Sequence, residues 1–303
     1  MSTRRRSAFT LFQLLVVLAV FGIGFSLFLP ALAKVRLAAA RAQSQNNLKQ
    51  LGLACHNYYD VNNFFPSGCN AQNFSAGVYL LPFLEQNNVY NQIDQTKSVD
   101  DKANAQVRGL YIKTFLNPMD PITKVKDNYG PTNYLFNAGS KPDLADNDGI
   151  FYLDSKIKFA DIADGTSNTL FTGETLKGDG GTKGENMRRQ YVLLKKDALK
   201  GIKDDAGVSA WKDDMDIAGD RCASWMDGRF LQGTFTGTRG VNDAKPDVSC
   251  EGAGGLSGLR TLADGVNVGF ADGSVRFVSQ AVKPAVWKLL TDRNDGQPLP
   301  PDF

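Results

Sequence analysis

The sequence predicts an α+β fold in which a long N-terminal membrane and stalk helix packs on a β-rich globular domain with an antiparallel sheet. Three features of the 303-residue chain support this prediction. A long stretch near the N-terminus lacks charge, a helical pattern of apolar residues follows it, and an Asp-Gly turn near the C-terminus separates two alternating runs. The 30 glycines and the many Asn and Asp residues favour a turn-rich domain over a helical bundle.

The charge-free stretch covers residues 9–33 and follows three arginines at positions 4–6. As a helix that rises about 1.5 Å per residue, it is long enough to cross a bilayer core of roughly 30 Å. A secretory signal peptide has a shorter apolar core, which is followed by a small residue at the cleavage site. Here the small residue, Ala8, precedes the apolar stretch. Cleavage next to Ala8 therefore leaves the helix on the mature protein.

The helix is predicted to continue beyond the apolar stretch through residues 34–59, which contain no proline. One apolar stripe recurs there at helical spacing and consists of Leu48, Leu51, Cys55 and Tyr58. We expect this stripe to pack on the globular domain and the helix to end near residues 60–63. The alternative is an independent second helix that docks loosely.

The globular domain reads as short strands and turns. Residues 149–153 and 170–174 are β-like runs, and residues 164–168 between them have turn chemistry. Residues 266–270 and 275–278 alternate around an Asp-Gly turn, which is the strongest short hairpin signal in a sequence. A short helix is predicted over residues 284–290.

The start of the apolar stretch resembles a type IV prepilin signal. The residues that carry the resemblance are Ala8-Phe9-Thr10-Leu11-Phe12-Gln13-Leu14-Leu15. The resemblance implies that a prepilin peptidase cleaves between Ala8 and Phe9 and that Phe9 becomes N-methylated. It also implies a leader at residues 1–8, a transmembrane and stalk helix at residues 9–60, and an exported α+β domain at residues 61–303. Ala8 stands where the family usually has Gly, and Gln13 stands where it has Glu.

A narrower resemblance covers much of the remaining chain. Residues 78–86, 115–121, 164–169 and 266–277 are similar to segments of a large bacterial prepilin-like family catalogued as domain of unknown function 1559. Two positions depart from the family pattern. Asn117 stands where the family often has Cys, and Leu262 stands where it often has His. No motif that we recognise covers residues 177–262.

The four cysteines are even in number and lie in the segment that the resemblance places outside the cytoplasm, where disulfides can form. Two local pairs, Cys55 with Cys69 and Cys222 with Cys250, are the preferred arrangement among the three possible ones. Free thiols are the alternative.

One candidate cation site lies in residues 143–149, where Asp143, Asp146 and Asp148 precede a glycine. Hard oxygen ligands on a short loop partly resemble a calcium loop, and a solvated turn is the alternative. The chain has only one histidine, His56, and no arrangement of carboxylates is singled out as a catalytic pair. We therefore do not expect an enzyme. With 34 basic and 32 acidic side chains, the composition also gives no reason to expect nucleic-acid binding.

These features predict a membrane-anchored, prepilin-like structural protein, expected to be a minor subunit of a type IV pilus-like or type II secretion pseudopilus assembly. Its expected partners are the prepilin peptidase, other pilin-like subunits and the inner membrane, with the N-terminus inside and the domain outside the cytoplasm. The alternative is a membrane-anchored extracytoplasmic domain that binds an envelope glycan or a protein and never polymerises.

Overall fold

A computed structural model describes residues 11–202 and 216–300; within the first helix the side chains at 17, 19–31 and 33 are not included. The chain divides into two compact units, residues 1–42 and residues 43–303. The described residues confirm the α+β class. Five α-helices lie within them: α1 (Leu11–Asn62), α2 (Ala76–Leu80), α3 (Asn87–Tyr90), α4 (Ala105–Arg108) and α5 (Pro284–Thr291).

Helix α1 ends where the sequence predicts. Asn63 adopts a left-handed conformation with φ of 61°, and its N–H donates to the Tyr59 carbonyl at 2.7 Å. A left-handed residue directly after the last helical turn is a common helix ending, and Asn tolerates that conformation better than most residues. Among the residues that the structure describes, no helix is both long and apolar enough to span a membrane.

The apolar stripe on the second half of α1 is confirmed. Leu48, Leu51 and Cys55 are almost completely buried, whereas Lys49 and Gln50 are exposed. One face of helix residues 43–62 is therefore part of the hydrophobic core of the second unit. Burial of apolar side chains is the main favourable contribution to such packing.

Two sheets make up the β structure of the second unit. In chain order the described strands are β1 (Tyr134–Gly139), β2 (Leu170–Glu174), β3 (Tyr191–Leu194), β4 (Ile217–Ala218), β5 (Thr234–Thr236), β6 (Asp247–Cys250), β7 (Gly255–Leu256), β8 (Gly265–Phe270) and β9 (Val275–Ser279). One sheet has the order β5-β1-β2-β8-β9 and the other has the order β4-β3-β6-β7.

The prediction of an antiparallel sheet is only partly correct, because both sheets are mixed. β5 pairs with β1 in parallel, and β6 pairs with β3 in parallel. A parallel pair needs a long crossover connection, so its partner is not visible in the local pattern of either strand. The four-stranded sheet lies wholly within residues 177–262, the region without a recognised motif.

The predicted hairpin is confirmed. β8 and β9 pair antiparallel, with Val266 opposite Val278. At the turn, Gly273 has φ of +77° and its N–H donates to the Phe270 carbonyl at 2.9 Å. The strand at residues 170–174 and the helix that begins at Pro284 are confirmed as β2 and α5.

The strand predicted at residues 149–153 is wrong. This segment forms only an isolated bridge, between Leu153 and Cys69. The N–H groups of Ile150 and Phe151 both donate to the Asn137 carbonyl on β1, at 3.2 and 2.9 Å. Two successive N–H groups that share one acceptor cannot continue a regular ladder, because neighbouring donors in a strand point in opposite directions. Ile150 and Phe151 are nevertheless completely buried, which explains the apolar character of the segment.

Candidate functional site at the junction of helix and sheet

A buried polar cluster joins α1 to the five-stranded sheet within the second unit. We call it the junction network. All its side chains are at least nine-tenths buried, and its members are Ser44, Asn47, Asn117, Tyr134, Glu174 and Asn267.

The strands determine where these side chains meet. Tyr134 begins β1 and Glu174 ends β2, and the two residues are direct partners across the antiparallel ladder. Asn267 lies on β8, which pairs with the other edge of β2. Three adjacent strands thus each contribute one polar residue, and the stalk part of α1 contributes Ser44 and Asn47.

The Glu174 carboxylate is the centre of the network. Its Oε1 accepts hydrogen bonds from the backbone N–H and from Nδ2 of Asn267, both at 2.8 Å. Its Oε2 accepts from Asn117 Nδ2 at 3.0 Å and from the Ser44 hydroxyl. Four donors thus converge on two oxygens, an arrangement suited to a group that only accepts.

Tyr134 extends the network along the helix. Its hydroxyl lies 3.1 Å from Ser44 Oγ and accepts from Asn47 Nδ2 at 3.3 Å. Asn47 Nδ2 also donates to the Leu116 carbonyl at 2.9 Å. Residues three apart on a helix lie on the same face, so Ser44 and Asn47 bind the domain together.

Burial raises the pKa of Glu174, and the hydrogen bonds from Ser44 and Asn267 oppose this shift. Burial also raises the pKa of the Tyr134 hydroxyl. Both shifts arise because the charged form loses its hydration inside the protein. The junction residues line neither of the two cavities described, and their hydrogen bonds clamp α1 to the sheet.

The hairpin turn provides a second set of contacts to α1. Lys49 Nζ donates to the Gly273 carbonyl at 2.9 Å, and His56 Nε2 lies 2.8 Å from the Ala271 carbonyl oxygen. The His56 ring also packs edge-on against Phe159 and Phe171, with centroid separations of 5.5 and 6.0 Å. The His56 side chain therefore contributes to the packing of α1 at this turn.

Sequence reasoning missed two buried ionic clusters. Asp120, from the segment at residues 115–121, pairs with Arg189 at 2.9 Å and with Lys177 at 3.5 Å. Burial alone raises the pKa of Asp120, but the hydrogen bond from Arg189 and the charge of Lys177 hold the pKa below its usual value. These contacts tie residues 177–189 to the motif segment that supplies Asn117.

The second cluster lies in the region without a motif. Asp247 is fully buried between Arg221 and Arg260, and Arg260 Nη2 donates to it at 2.6 Å. Buried charges are retained only when paired. In the sequence these residues look like ordinary surface charges, and the only weak signal is their position within or beside short apolar runs.

Of the predicted processing residues, only Gln13 lies within the part of the chain that the structure describes. Ala8 and Phe9 lie outside the described residues, and so does the leader at residues 1–8. Gln13 lies on α1 with an exposed side chain.

The predicted disulfides are wrong, because all four cysteines, each within the described residues, are free and buried. Cys55, Cys222 and Cys250 belong to three different hydrophobic clusters, where each thiol fills space as a small apolar side chain. Burial raises the pKa of Cys69 and of Cys222 to about 12 in each case. These thiols therefore stay protonated and unreactive.

The predicted calcium loop is not formed either. The Asp148 carboxylate is buried and accepts from the Ser140 hydroxyl at 2.9 Å, whereas Asp143 and Asp146 are exposed. Asp143 Oδ1 accepts from the Ala145 N–H at 2.9 Å, which closes a local turn. No group of three metal-binding side chains converges anywhere in residues 11–202 or 216–300.

Comparison with known proteins identifies a family. A family model described as "Protein of unknown function (DUF1559)" matches residues 33–285, which include the whole junction network. No curated protein and no solved structure is significantly similar to the chain.

Replacement of Ser44 by Ala tests the clamp. The substitution removes one donor to the buried carboxylate and one partner of Tyr134. We expect the free energy of unfolding to fall by about 1–3 kcal/mol, the usual cost of leaving buried polar groups unsatisfied. Chemical denaturation of the purified protein measures this change.

Ser155 provides the matched control, because its hydroxyl is equally buried but has no hydrogen-bond partner in the described part of the chain. Ser155→Ala should leave the free energy of unfolding unchanged or raise it. Equal effects of the two substitutions would contradict a specific role for Ser44.

Replacement of Glu174 by Gln tests the raised pKa. Between the usual glutamate value of 4.5 and the raised pKa, the folded state holds a proton that the unfolded state has released. The wild-type protein should therefore lose stability as the pH rises through this window. Glu174→Gln cannot titrate at this position, so the variant should not show this loss of stability with rising pH. Denaturation midpoints measured from pH 4 to pH 8 (on the order of ten points) test this.

The exposed Glu185 provides the control, and Glu185→Gln should retain the wild-type slope. If the stability of Glu174→Gln changed with pH in parallel with that of the wild type, the fold would not raise the pKa of Glu174.

Proposed function

The chain belongs to the DUF1559 family of proteins of unknown function, and from this premise we propose that it is a membrane-anchored, prepilin-like structural protein of the cell envelope. In this proposal it is a minor subunit of a type IV pilus-like or type II secretion pseudopilus assembly. The junction network is the observation that carries the proposal.

The junction network supports a structural role because its buried polar contacts fix helix α1 to the five-stranded sheet of the globular domain. A subunit that joins neighbours through a helix must carry its globular domain on that helix without slippage. An apolar stripe alone tolerates sliding, since dispersion and hydrophobic contacts are not directional. Ser44 and Asn47 add directional hydrogen bonds that fix one register of residues 43–62 on the sheet.

The sequence of residues 9–33 supports the anchor and the localisation. It contains no charged side chain and follows a basic leader. The proposed location is the inner membrane, with the N-terminus in the cytoplasm and the globular domain outside it. The proposed partners are a prepilin peptidase and other pilin-like subunits, and the helices would pack through their Leu, Val and Phe side chains.

Gln13 supports assignment as a minor subunit. In the pilin pattern a Glu at this position pairs with the N-terminal ammonium group of a neighbouring subunit. The Gln side chain has a carbonyl oxygen but no negative charge, and a buried ammonium without a counter-charge is costly. A chain with Gln13 is therefore poorly suited to form a continuous fibre with copies of itself.

The mass of the mature N-terminus tests the proposal. In cells that contain a prepilin peptidase, we expect the membrane fraction to hold a protein that begins at N-methylated Phe9. Ala8→Arg should block cleavage, because the enzyme requires a small residue there, and should leave residues 1–8 attached. Mass spectrometry of the N-terminal peptide distinguishes the two forms.

Ser7→Ala is the matched control and should be processed like the wild type. A wild-type protein in the membrane that retains residues 1–8 would contradict the proposal and favour the alternative of an anchored domain that does not polymerise. A protein found only in the soluble fraction would contradict both.

A further inference from the structure

The buried cluster around Asp120 contains more than ion pairs. It brings together a lysine amine, a primary amide and a carboxylate, which belong to Lys177, Asn133 and Asp120. Asn133 directly precedes β1, and Lys177 lies three residues after the end of β2, the antiparallel partner of β1. Asn133 is completely buried, and the side chains of Lys177 and Asp120 are 3% and 1% exposed. Bulk water is therefore excluded from all three groups.

The Lys177 amine lies against the Asn133 amide. Its Nζ donates a hydrogen bond to Asn133 Oδ1 at 2.7 Å. Because a carbonyl bond is about 1.23 Å long, Nζ lies within about 4 Å of the amide carbon, Asn133 Cγ. Reacting atoms that are held about 3–3.5 Å apart are close to the geometry of attack. The lysine nitrogen is thus near the distance from which an amine adds to a carbonyl carbon.

The hydrogen bonds of Asn133 orient its amide. Oδ1 accepts a second hydrogen bond, from the Asn117 N–H at 2.9 Å. Nδ2 donates to Asp120 Oδ2 and to the Thr175 carbonyl, both at 2.8 Å. The oxygen therefore faces donors, which stabilise the negative charge that develops on it when a nucleophile adds to Cγ. The nitrogen, which is the leaving group, faces a carboxylate that can deliver a proton to it.

Asp120 is placed to transfer protons between the two reacting nitrogens. Its Oδ2 lies 2.8 Å from Asn133 Nδ2 and 3.5 Å from Lys177 Nζ. Its Oδ1 is held by Arg189 at 2.9 Å and by the Ile122 N–H at 3.2 Å. One oxygen thus fixes the carboxylate in place while the other contacts both the amine and the amide.

The surroundings of Lys177 favour its reactive form. Burial lowers the pKa of Lys177, and the charge of Asp120 opposes this shift. The neutral amine, which is the nucleophile, is therefore easier to reach than for a lysine in water. The pKa of Asp120 is below its usual value, so Asp120 starts as a carboxylate, the form that accepts a proton.

We propose that Lys177 and Asn133 react with each other to form an intramolecular isopeptide bond. The Lys177 ammonium group first gives a proton to Asp120 Oδ2. The neutral Nζ then adds to Asn133 Cγ and forms the Nζ–Cγ bond, and Asp120 passes its proton to Nδ2. A second proton leaves Nζ by the same route, the Cγ–Nδ2 bond breaks and ammonium departs. Nothing is oxidised or reduced, and Asp120 ends as the carboxylate that it was at the start.

The bond covalently links two neighbouring strands of the five-stranded sheet. It connects residues 133 and 177 next to the point where Tyr134 pairs with Glu174. A covalent link at this position prevents β1 and β2 from separating when the domain is pulled. The proposal goes beyond the proposed function and does not depend on it, because the reaction needs only the folded second unit.

Peptide mapping of the purified full-length protein tests the proposal. After reduction, denaturation and digestion, we expect a branched peptide that joins Asn133 to Lys177. Its mass should be lower than the sum of the two linear peptides by about 17 Da, the mass of the ammonia that is lost. Linear peptides with unmodified Asn133 and Lys177, and no branched peptide, overturn the proposal. This measurement uses the wild type and does not depend on the folding of any variant.

Two variants test the roles of the individual groups. Lys177→Met removes the amine and should abolish the branched peptide. Asp120→Asn keeps the shape of the side chain but removes the carboxylate, and it should lower the yield of the branched peptide by about tenfold or more. Lys124→Arg is the matched control, because Lys124 is an exposed lysine that pairs with Asp127 at 2.5 Å. This variant should form the bond in the same yield as the wild type.

Circular dichroism identifies the variants that are folded. A branched peptide at Asn133 that persists in Lys177→Met would show that another amine reacts and would overturn the assignment of Lys177. Wild-type yield in folded Asp120→Asn would rule out proton transfer through Asp120. Loss of the branched peptide in folded Lys124→Arg would contradict a reaction confined to the buried cluster.

Discussion

The structure of the second unit depends on one buried carboxylate, that of Glu174. A charge at this depth is tolerated only when its hydrogen bonds are satisfied. The partners of Glu174 come from the stalk helix, a loop and a neighbouring strand, through Ser44, Asn117 and Asn267. These elements must be in place together for the network to be complete. We infer that the apolar stripe of α1 supplies most of the stabilisation and that the carboxylate determines the register of the helix on the sheet.

Two of the four segments that suggested the family from sequence contact this carboxylate, and a third leads into the strand that carries it. Asn117 belongs to the segment at residues 115–121, Asn267 belongs to the segment at residues 266–277, and the turn at residues 164–169 leads directly into β2, which ends at Glu174. The departure at Asn117 has a physical consequence. An amide donates a strong hydrogen bond to Glu174, whereas the Cys that is frequent at this position in the family offers only a weak donor. In this chain the position therefore serves the buried carboxylate directly.

Local patterns in the sequence predicted the elements that depend on local interactions. The end of α1, its buried stripe, the β8–β9 hairpin, β2 and α5 are all set by helical or alternating periodicity and by turn residues. The mixed sheets could not be predicted, because the parallel partners β1 and β5 are far apart in the chain. Tertiary contacts also account for the errors. Residues 149–153 bend around Asn137 instead of forming a ladder, and three of the four cysteines lie in separate hydrophobic clusters. For the candidate site, the sequence located the motif segments but did not show that two of them supply the partners of Glu174, Asn117 and Asn267.

The claim that Glu174 fixes the helix on the sheet is most directly tested by hydrogen–deuterium exchange of Glu174→Ala, followed peptide by peptide. The account predicts faster exchange in residues 43–62 and in the hairpin at residues 265–279, because these elements lose their shared partner. Exchange in β3 and β6 of the four-stranded sheet should stay at the wild-type rate. Unchanged protection of residues 43–62, or an equal loss of protection in both sheets, would contradict the account.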